Sequence, residues 1–252
     1  LLERKEAYNQ KKHILNGRNS YSRTDHDAVG MMMKDKLTIR PGYNEGIAVE
    51  NDLVLNYVIS DNCSDGTSFV PLMEGLIDNI GKAPENANAD GAYGNEENQS
   101  YLEEKGINNY LKFSTYHKEK SQKWKYKKLR LEDFSYDEKK NEFTCPNNNK
   151  LTFIGEKEDI TKTGYKRKIS MYQCEEGSCK YCRQKKKCLS KKNKNNTRTL
   201  QFSWKAEKLK ERARQNLNSE KGKKLRKRRG NEVESVFGDE KLNKLKRRYH
   251  LR

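Results

Sequence analysis

An α/β fold is what this sequence predicts, and three observations predict it. Two strand-like runs, residues 43–49 and 53–59, flank the polar turn Glu50-Asn51-Asp52. An apolar set at helical spacing follows at Phe69, Leu72, Met73, Leu76, Ile77 and Ile80. A short alternating strand then ends at Asp90, ahead of a helix-forming run at residues 95–105 and a further strand at residues 107–113. Hairpin, helix, strand, helix, strand is the order in which crossover strands pair in parallel.

Each element has a local reason. Residues 1–20 are polar and helix-compatible, with Leu1, Leu2, Ala7, Ile14 and Leu15 loosely periodic, and residues 22–28 are a polar, turn-rich patch. Glu50-Asn51-Asp52 is hairpin-turn chemistry. Asp65 or Ser68 caps the first core helix, which runs to about Ile80. Residues 114–200 change character: they are dense in Lys, Tyr and Asn, hold all but one of the cysteines, and contain strand-like pieces at 142–144, 151–154 and 168–173. Residues 203–229 are a basic helical stretch in which Ser219 caps the last part and Gly222 interrupts at moderate cost. The expected organisation is therefore a helical or linker segment at 1–36, a core at 37–115, a basic cysteine-bearing insertion at 116–200, and basic helices at 201–252 that complete the core.

Composition narrows the function classes. Of 252 residues 36% are charged and 32% hydrophobic, and the mean hydropathy is −1.22, which suits one modest core with polar insertions. The longest apolar run, residues 53–59, is broken by Asn56 and falls far short of the roughly 20 residues of a membrane span. No basic-then-apolar segment opens the chain, so a cytoplasmic location is expected. The chain begins at Leu1, which suggests a piece of a longer reading frame. Residues 1–110 hold 11 Lys and Arg against 18 Asp and Glu, a net of −7; residues 111–252 hold 43 against 18, a net of +25. That asymmetry points to a polyanion held by the C-terminal half, with a lysine-rich solvated surface as the plainer reading.

Three constellations carry candidate chemistry. Asp90, in Asn88-Ala89-Asp90-Gly91-Ala92-Tyr93-Gly94, is a carboxylate at the end of a strand, beside backbone free to approach a ligand. Such a group holds a divalent metal or activates a nucleophile; a strand-to-helix turn also carries plain aspartates. Cys174-x4-Cys179-x2-Cys182-x5-Cys188, with Cys145-Pro146 upstream, has the spacing of a structural tetrathiolate zinc site. Cys179, Cys182 and Cys188 are its firm members, with Cys145 preferred as fourth ligand and Cys174 as the alternative. Free thiols or disulfides are the competing explanations, and Cys63 reads as a lone thiol. The third constellation is the run at residues 221–229, including Arg226, Arg228 and Arg229, followed by an apolar stripe at Val233, Val236 and Phe237. Glu234 borders the stripe, and Lys241 lies seven residues on, nearly two turns away. Glu232 is the near competitor, on a different face. The basic run fits phosphate contacts, and equally a solvated face. Trp124 and Tyr126, interleaved with lysines, are the right types to stack on unpaired bases.

The order of these pieces resembles the DDE-type transposases of bacterial insertion sequences. The marks are Ser22-Arg23-Thr24-Asp25 with Asp27-Ala28, residues 31–34, Pro41-Gly42-Tyr43-Asn44, Asp65, Ala89-Asp90 with Tyr93, the Cys-Pro and Cys-x2-Cys insertion, and Val233-Glu234 with Phe237-Gly238 and Lys241. The resemblance implies a ribonuclease H-like mixed sheet with flanking helices, lacking its first strand and interrupted by a small zinc-ribbon-like insertion. It implies Asp90 as second catalytic aspartate and Glu234 as catalytic glutamate, holding Mg²⁺ for DNA cleavage and strand transfer. By the same resemblance Tyr93, Lys241, Arg226, Arg228 and Arg229 would contact DNA, both transposon ends and target, in a homodimeric assembly at the nucleoid. The Asp-Gly-Thr-like motif of the first strand has no counterpart in place, so the chain is expected to be an N-terminally lacking copy, inactive alone. A non-catalytic zinc-bearing nucleic-acid-binding protein is the alternative, and a metal-dependent nuclease on the same fold is a third.

Overall fold

The computed structural model describes residues 2–18, 20–33 and 37–243, without the side chains of Lys123, Lys125, Lys241 and Leu242. Helix α1 (Leu2–Leu15) buries none of its residues. Strands β1 (Val29–Met32) and β2 (Ile39–Gly42) pair antiparallel. Strands β3 (Asn44–Glu50) and β4 (Leu53–Ser60) form the hairpin that the sequence predicts. Its turn residues Asn51 and Asp52 have φ of 52° and 63°. A two-residue hairpin turn of the favoured hand needs positive φ at both positions, and Asn and Asp tolerate it best after Gly.

Helix α2 (Phe69–Ile80) buries Phe69, Leu72, Met73 and Leu76 and ends at Gly81 in the left-handed region, φ 77°. Next come β5 (Asn86–Ala87), α3 (Glu96–Glu104) and β6 (Asn108–Asn109), with β5 and β6 parallel. Hydrogen bonds from the Asn108, Tyr110 and Lys112 amides to the Glu85, Ala87 and Ala89 carbonyls carry the pairing beyond the formal strands. Asn95 caps α3, its side chain accepting from the Asn98 amide at 2.8 Å. This is the crossover unit expected around Asp90, and its core joins Phe69, Met73, Leu76, Ala87, Leu102, Ile107 and Leu111. No sheet pairing joins the β3–β4 hairpin to the β5–β6 pair among the described residues. In place of one mixed sheet there are two short two-stranded pieces within one core.

After α4 (Gln122–Lys127), the strands β7 (Ser135–Asp137), β8 (Glu142–Thr144), β9 (Lys150–Ile160), β10 (Lys166–Cys174) and β11 (Thr199–Phe202) build an antiparallel sheet. Its order is β11-β10-β9-β8-β7. The sheet lies where strand-like pieces are expected, but β9 and β10 are much longer than those pieces. Phe143, Tyr172, Phe202 and Trp204 pack ring against ring on it, with Tyr172 and Phe202 stacked at 5.9 Å. A short helix, α5 (Lys185–Cys188), sits before β11.

Helices α6 (Trp204–Asn218) and α7 (Glu220–Gly238) are capped by Ser203 and Ser219, each hydroxyl accepting a backbone N–H. They clamp the parallel pair: Asn216 donates to the Asn109 carbonyl at 3.0 Å and Asn88 to the Leu225 carbonyl at 2.8 Å. Ala213 and Leu217 of α6 are buried against Tyr110, Phe113 and Tyr116. Gly222 is buried in the first turn of α7, where an added Cβ would lie 2.1 Å from the Asn216 oxygen. The glycine therefore permits the tight passage from α6 into α7, and the helix runs on unbroken through it. Among the described residues no helix is long and apolar enough to cross a membrane.

Candidate functional site

Asp90 sits just past the extended segment 85–89, at the point where the chain turns toward α3 through the Tyr93 amide-to-Asp90 carbonyl bond of 3.0 Å. The turn passes so close to the neighbouring strand that a Cβ on Gly94 would meet the Lys112 carbonyl at 2.1 Å. Parallel pairing sets Lys112 beside Asp90, with Nζ 3.8 Å from Oδ1. From α7, Arg229 brings a guanidinium nitrogen to 3.5 Å from the same oxygen. Asp90 is exposed while Lys112 is largely buried, its side chain only 13% accessible.

The electrostatics around this carboxylate are cationic. Burial lowers the Lys112 pKa, and the Arg229 and Arg226 charges lower it further against the pull of Asp90. The pKa of His117 is lowered by burial and by Lys112, Lys120 and Arg226. Arg226 and Lys120 each lie over the Tyr116 ring, at 5.4 and 4.9 Å from its centroid, a contact that favours cations near aromatic faces. Lys112 is the member that sequence reasoning missed. Its only signal is its place at the end of the second parallel strand, level with Asp90.

The remaining site residues are placed as follows. Tyr93 is half-buried, its ring 5.7 Å from that of Phe69. Burial first, then the Asp65 carboxylate, raises its phenol pKa against a hydrogen bond with Ser68. Glu234 is exposed on α7. Five residues beyond Arg229 it lies about 140° around the helix, away from the Asp90 side. Glu232 faces that side, half-buried, paired with Arg228 at 2.7 Å. Arg228 also donates to Asn51 Oδ1 of the hairpin turn at 2.7 Å. Lys221 pairs with Glu85 and Lys223 with Glu220, both at 2.6 Å, whereas Lys224 and Lys227 are exposed. The Lys241 side chain lies outside the described residues.

These residues do not fit a two-metal carboxylate site. Asp90 faces two cations, Glu234 points elsewhere, and among the described residues no group of three or more His, Cys, Asp or Glu is disposed to hold a metal ion.

The cysteines are drawn together all the same. Cys145, Cys174, Cys179, Cys182 and Cys188 line one cleft with Leu129, Leu151 and Arg198, all as free thiols, while exposed Cys63 donates to the Gly30 carbonyl at 3.6 Å. Both suggested fourth ligands are present. Cys174 and Cys179 have sulfurs 3.7 Å apart, and Cys145 accepts the Asn147 and Asn149 amides, each at 3.3 Å. The Arg198 amide donates to the Cys174 sulfur at 3.1 Å. Burial and the neighbouring Cys174 push the Cys179 pKa up to about 11. In donor chemistry the cluster suits a thiolate metal, although among the described residues no three or more of its sulfurs are disposed together to hold one.

No curated protein and no solved structure matches this chain. Residues 144–252 match the family described as the transposase DDE domain, a stretch that takes in all five clustered cysteines and all of α6 and α7 with Glu234. Over those residues the chain is similar to the DDE transposase family.

Proposed function

We propose that this chain is the DNA-holding part of a bacterial insertion-sequence transposase whose cleavage and strand-transfer site is incomplete as it stands. The observation that carries the reading is the Arg229–Asp90 contact. It ties the helix of the family-matched stretch to the strand end that bears the other resemblance motif. DDE transposases use divalent metal, and Mg²⁺ at Asp90 and Glu234 is the family expectation. Because Asp90 is held between Lys112 and Arg229, no reaction step is assigned to such a metal here. The cationic set Lys112, Arg226 and Arg229 binds and orients phosphate, a sequence-independent contribution. DNA as partner places the work at the nucleoid in the cytoplasm, with two copies needed to hold two transposon ends.

The test is binding and cutting by the same sample. The chain is expected to bind duplex DNA, and to leave supercoiled plasmid uncut in Mg²⁺, with Asp90→Asn binding as tightly as wild type. Metal-dependent nicking lost in Asp90→Asn would contradict the incomplete-site reading, and failure to bind DNA would contradict the reading as a whole.

The alternative, a zinc-bearing nucleic-acid-binding protein without catalysis, is favoured by the convergence of five thiols. Zinc would draw Cys179, Cys182 and Cys188 together with Cys145 or Cys174. Zn–S bonds are about 2.3 Å and structural sites tetrahedral, so two ligating sulfurs stand near the Cys174–Cys179 spacing of 3.7 Å. Elemental analysis of protein purified under reducing conditions should give one zinc per chain, lost in Cys182→Ser with residues 140–190 loosened. Metal-free protein with an unchanged fold would remove zinc from the account.

A further inference from the structure

Beside Asp90 four cations meet from three elements. Lys112, in the extended chain after β6, and Arg229 of α7 both approach its Oδ1, at 3.8 and 3.5 Å. Arg226, one turn before Arg229 on α7, and Lys120, at the end of the turn Lys118–Lys120, lie over the ring of Tyr116 at 5.4 and 4.9 Å from its centroid. The His117 ring meets that same ring edge to face at 5.3 Å. Arg226 and Arg229 are half-buried and Lys112 is more so, whereas Asp90, His117 and Lys120 are exposed and form the rim. Among the described residues Asp90 is the only carboxylate in an ion pair with any of the four cations. Lys221, Lys223 and Arg228 of the same helix differ, each having an acidic partner of its own. The crowding is felt: after burial, the Arg229 and Arg226 charges lower the Lys112 pKa, and Lys112, Lys120 and Arg226 lower that of His117, while Asp90 pulls both the other way.

We infer that this recess seats a phosphate monoester, the 5′-phosphate that ends a DNA strand. Asp90 offsets one of the four positive charges, so an anion that enters relieves the repulsion among the rest. Charge and shape select which anion. An internal phosphodiester carries one negative charge and continues on both sides, which suits cations spread along a track. Here the cations converge from three elements on one place. A terminal phosphate has about −1.5 to −2 charge and three acceptor oxygens, enough to engage Lys112, Arg226 and Arg229 at the floor together with Lys120 at the rim. Charge-assisted hydrogen bonds of this kind are the strong ones. The same anion draws His117 toward its protonated form, against the cations that hold it neutral. The assignment rests on the proposed hold on DNA and names the part of the DNA that this end of α7 meets.

Binding of the full chain to two duplexes of one sequence tests it, one with 5′-phosphate ends and one with 5′-hydroxyl ends, at the same salt. The phosphorylated duplex should bind about tenfold more tightly, the worth of one hydrogen bond to a charged group. Lys120→Gln should bring that ratio toward one. In proton NMR the His117 imidazole, assigned by its loss in His117→Gln, should titrate at higher pH with the phosphorylated duplex and not with the hydroxyl one. Equal affinity for both ends, with His117 unmoved, would overturn the inference and leave the hold on DNA standing. A preference that survives Lys120→Gln in full and leaves His117 unmoved would put the strand end elsewhere and overturn it as well. Inorganic phosphate that shifts His117 as far as the phosphorylated duplex does, at the same concentration, would make this a site for a free anion and count against the strand end. Failure to bind either duplex would overturn the transposase reading together with the inference.

Discussion

Arg229 of α7 lies 3.5 Å from the carboxylate of Asp90, across 139 residues of chain. The contact decides how the basic helix sits on the parallel strands, because Lys112, the other cation at Asp90, is held off its usual pKa partly by Arg229 itself. Replacing Arg229 with Met removes one repelling charge and keeps the aliphatic stem. The Lys112 pKa should then rise toward the ordinary lysine range, read from its labelled ammonium by NMR titration. A Lys112 titration that does not move would mean that Arg229 spends little time at Asp90.

Glu119 ties the segment after β6 to α6 in a second cluster. Burial works against its charge, but hydrogen bonds from Thr115 at 2.6 Å and Arg214 at 3.1 Å, with Lys210 at 3.3 Å, hold its pKa below the usual 4.5. A carboxyl with a depressed folded pKa stabilises the fold above its unfolded value, and that stability is lost as pH falls through the folded value. Glu119→Gln should therefore cost about 1–2 kcal/mol at pH 7. The difference should shrink as pH drops below 4.5, toward nothing under the folded pKa. Urea unfolding of both proteins at pH 7 and pH 3 checks this, and a gap of the same size at both would contradict it.

Gly222 offers a test of packing. An alanine in a helix is ordinarily favoured over glycine by about 1 kcal/mol. Here its Cβ would fall on the Asn216 carbonyl and the Leu217 backbone, at 2.1 and 2.9 Å. Gly222→Ala should destabilise by about 1–3 kcal/mol, in the range of overpacked sites, and thermal unfolding reads the sign directly.

Much of the N-terminal half was legible in the sequence because its signals are local. Asn51-Asp52 specifies a turn and the spacing of Phe69, Leu72, Met73 and Leu76 specifies a buried face, and in the C-terminal half Ser219 caps its helix by its own chemistry. What escaped depends on contacts between distant segments. Lys112 reaches Asp90 only because two strands pair in parallel, and Gly222 looks like an interruption until the Asn216 carbonyl is seen above it. The strands β1, β2 and β11, each of four residues, are too short to show a period. Whether Glu232 or Glu234 turns toward the strands follows from how α7 docks, which periodicity alone does not fix. The spaced cysteines line one cleft, and Cys145 joins them because the tight turn after β8 points its sulfur inward, under two amides.

The most direct test of the central claim, that the basic C-terminal helices hold DNA, is the salt dependence of duplex binding. Of the basic run, Lys221, Lys223, Arg228 and Arg229 already face acidic partners, whereas Lys224 and Lys227 are exposed and three residues apart on one face. Each phosphate contact contributes about −0.9 to the slope of log K against log salt. Changing Lys224 and Lys227 together to Ala should flatten that slope by up to about 1.8 and weaken all sequences alike, since phosphate contacts carry no base information. A slope unmoved by the double change, with affinity intact, would mean that this face of α7 meets only water.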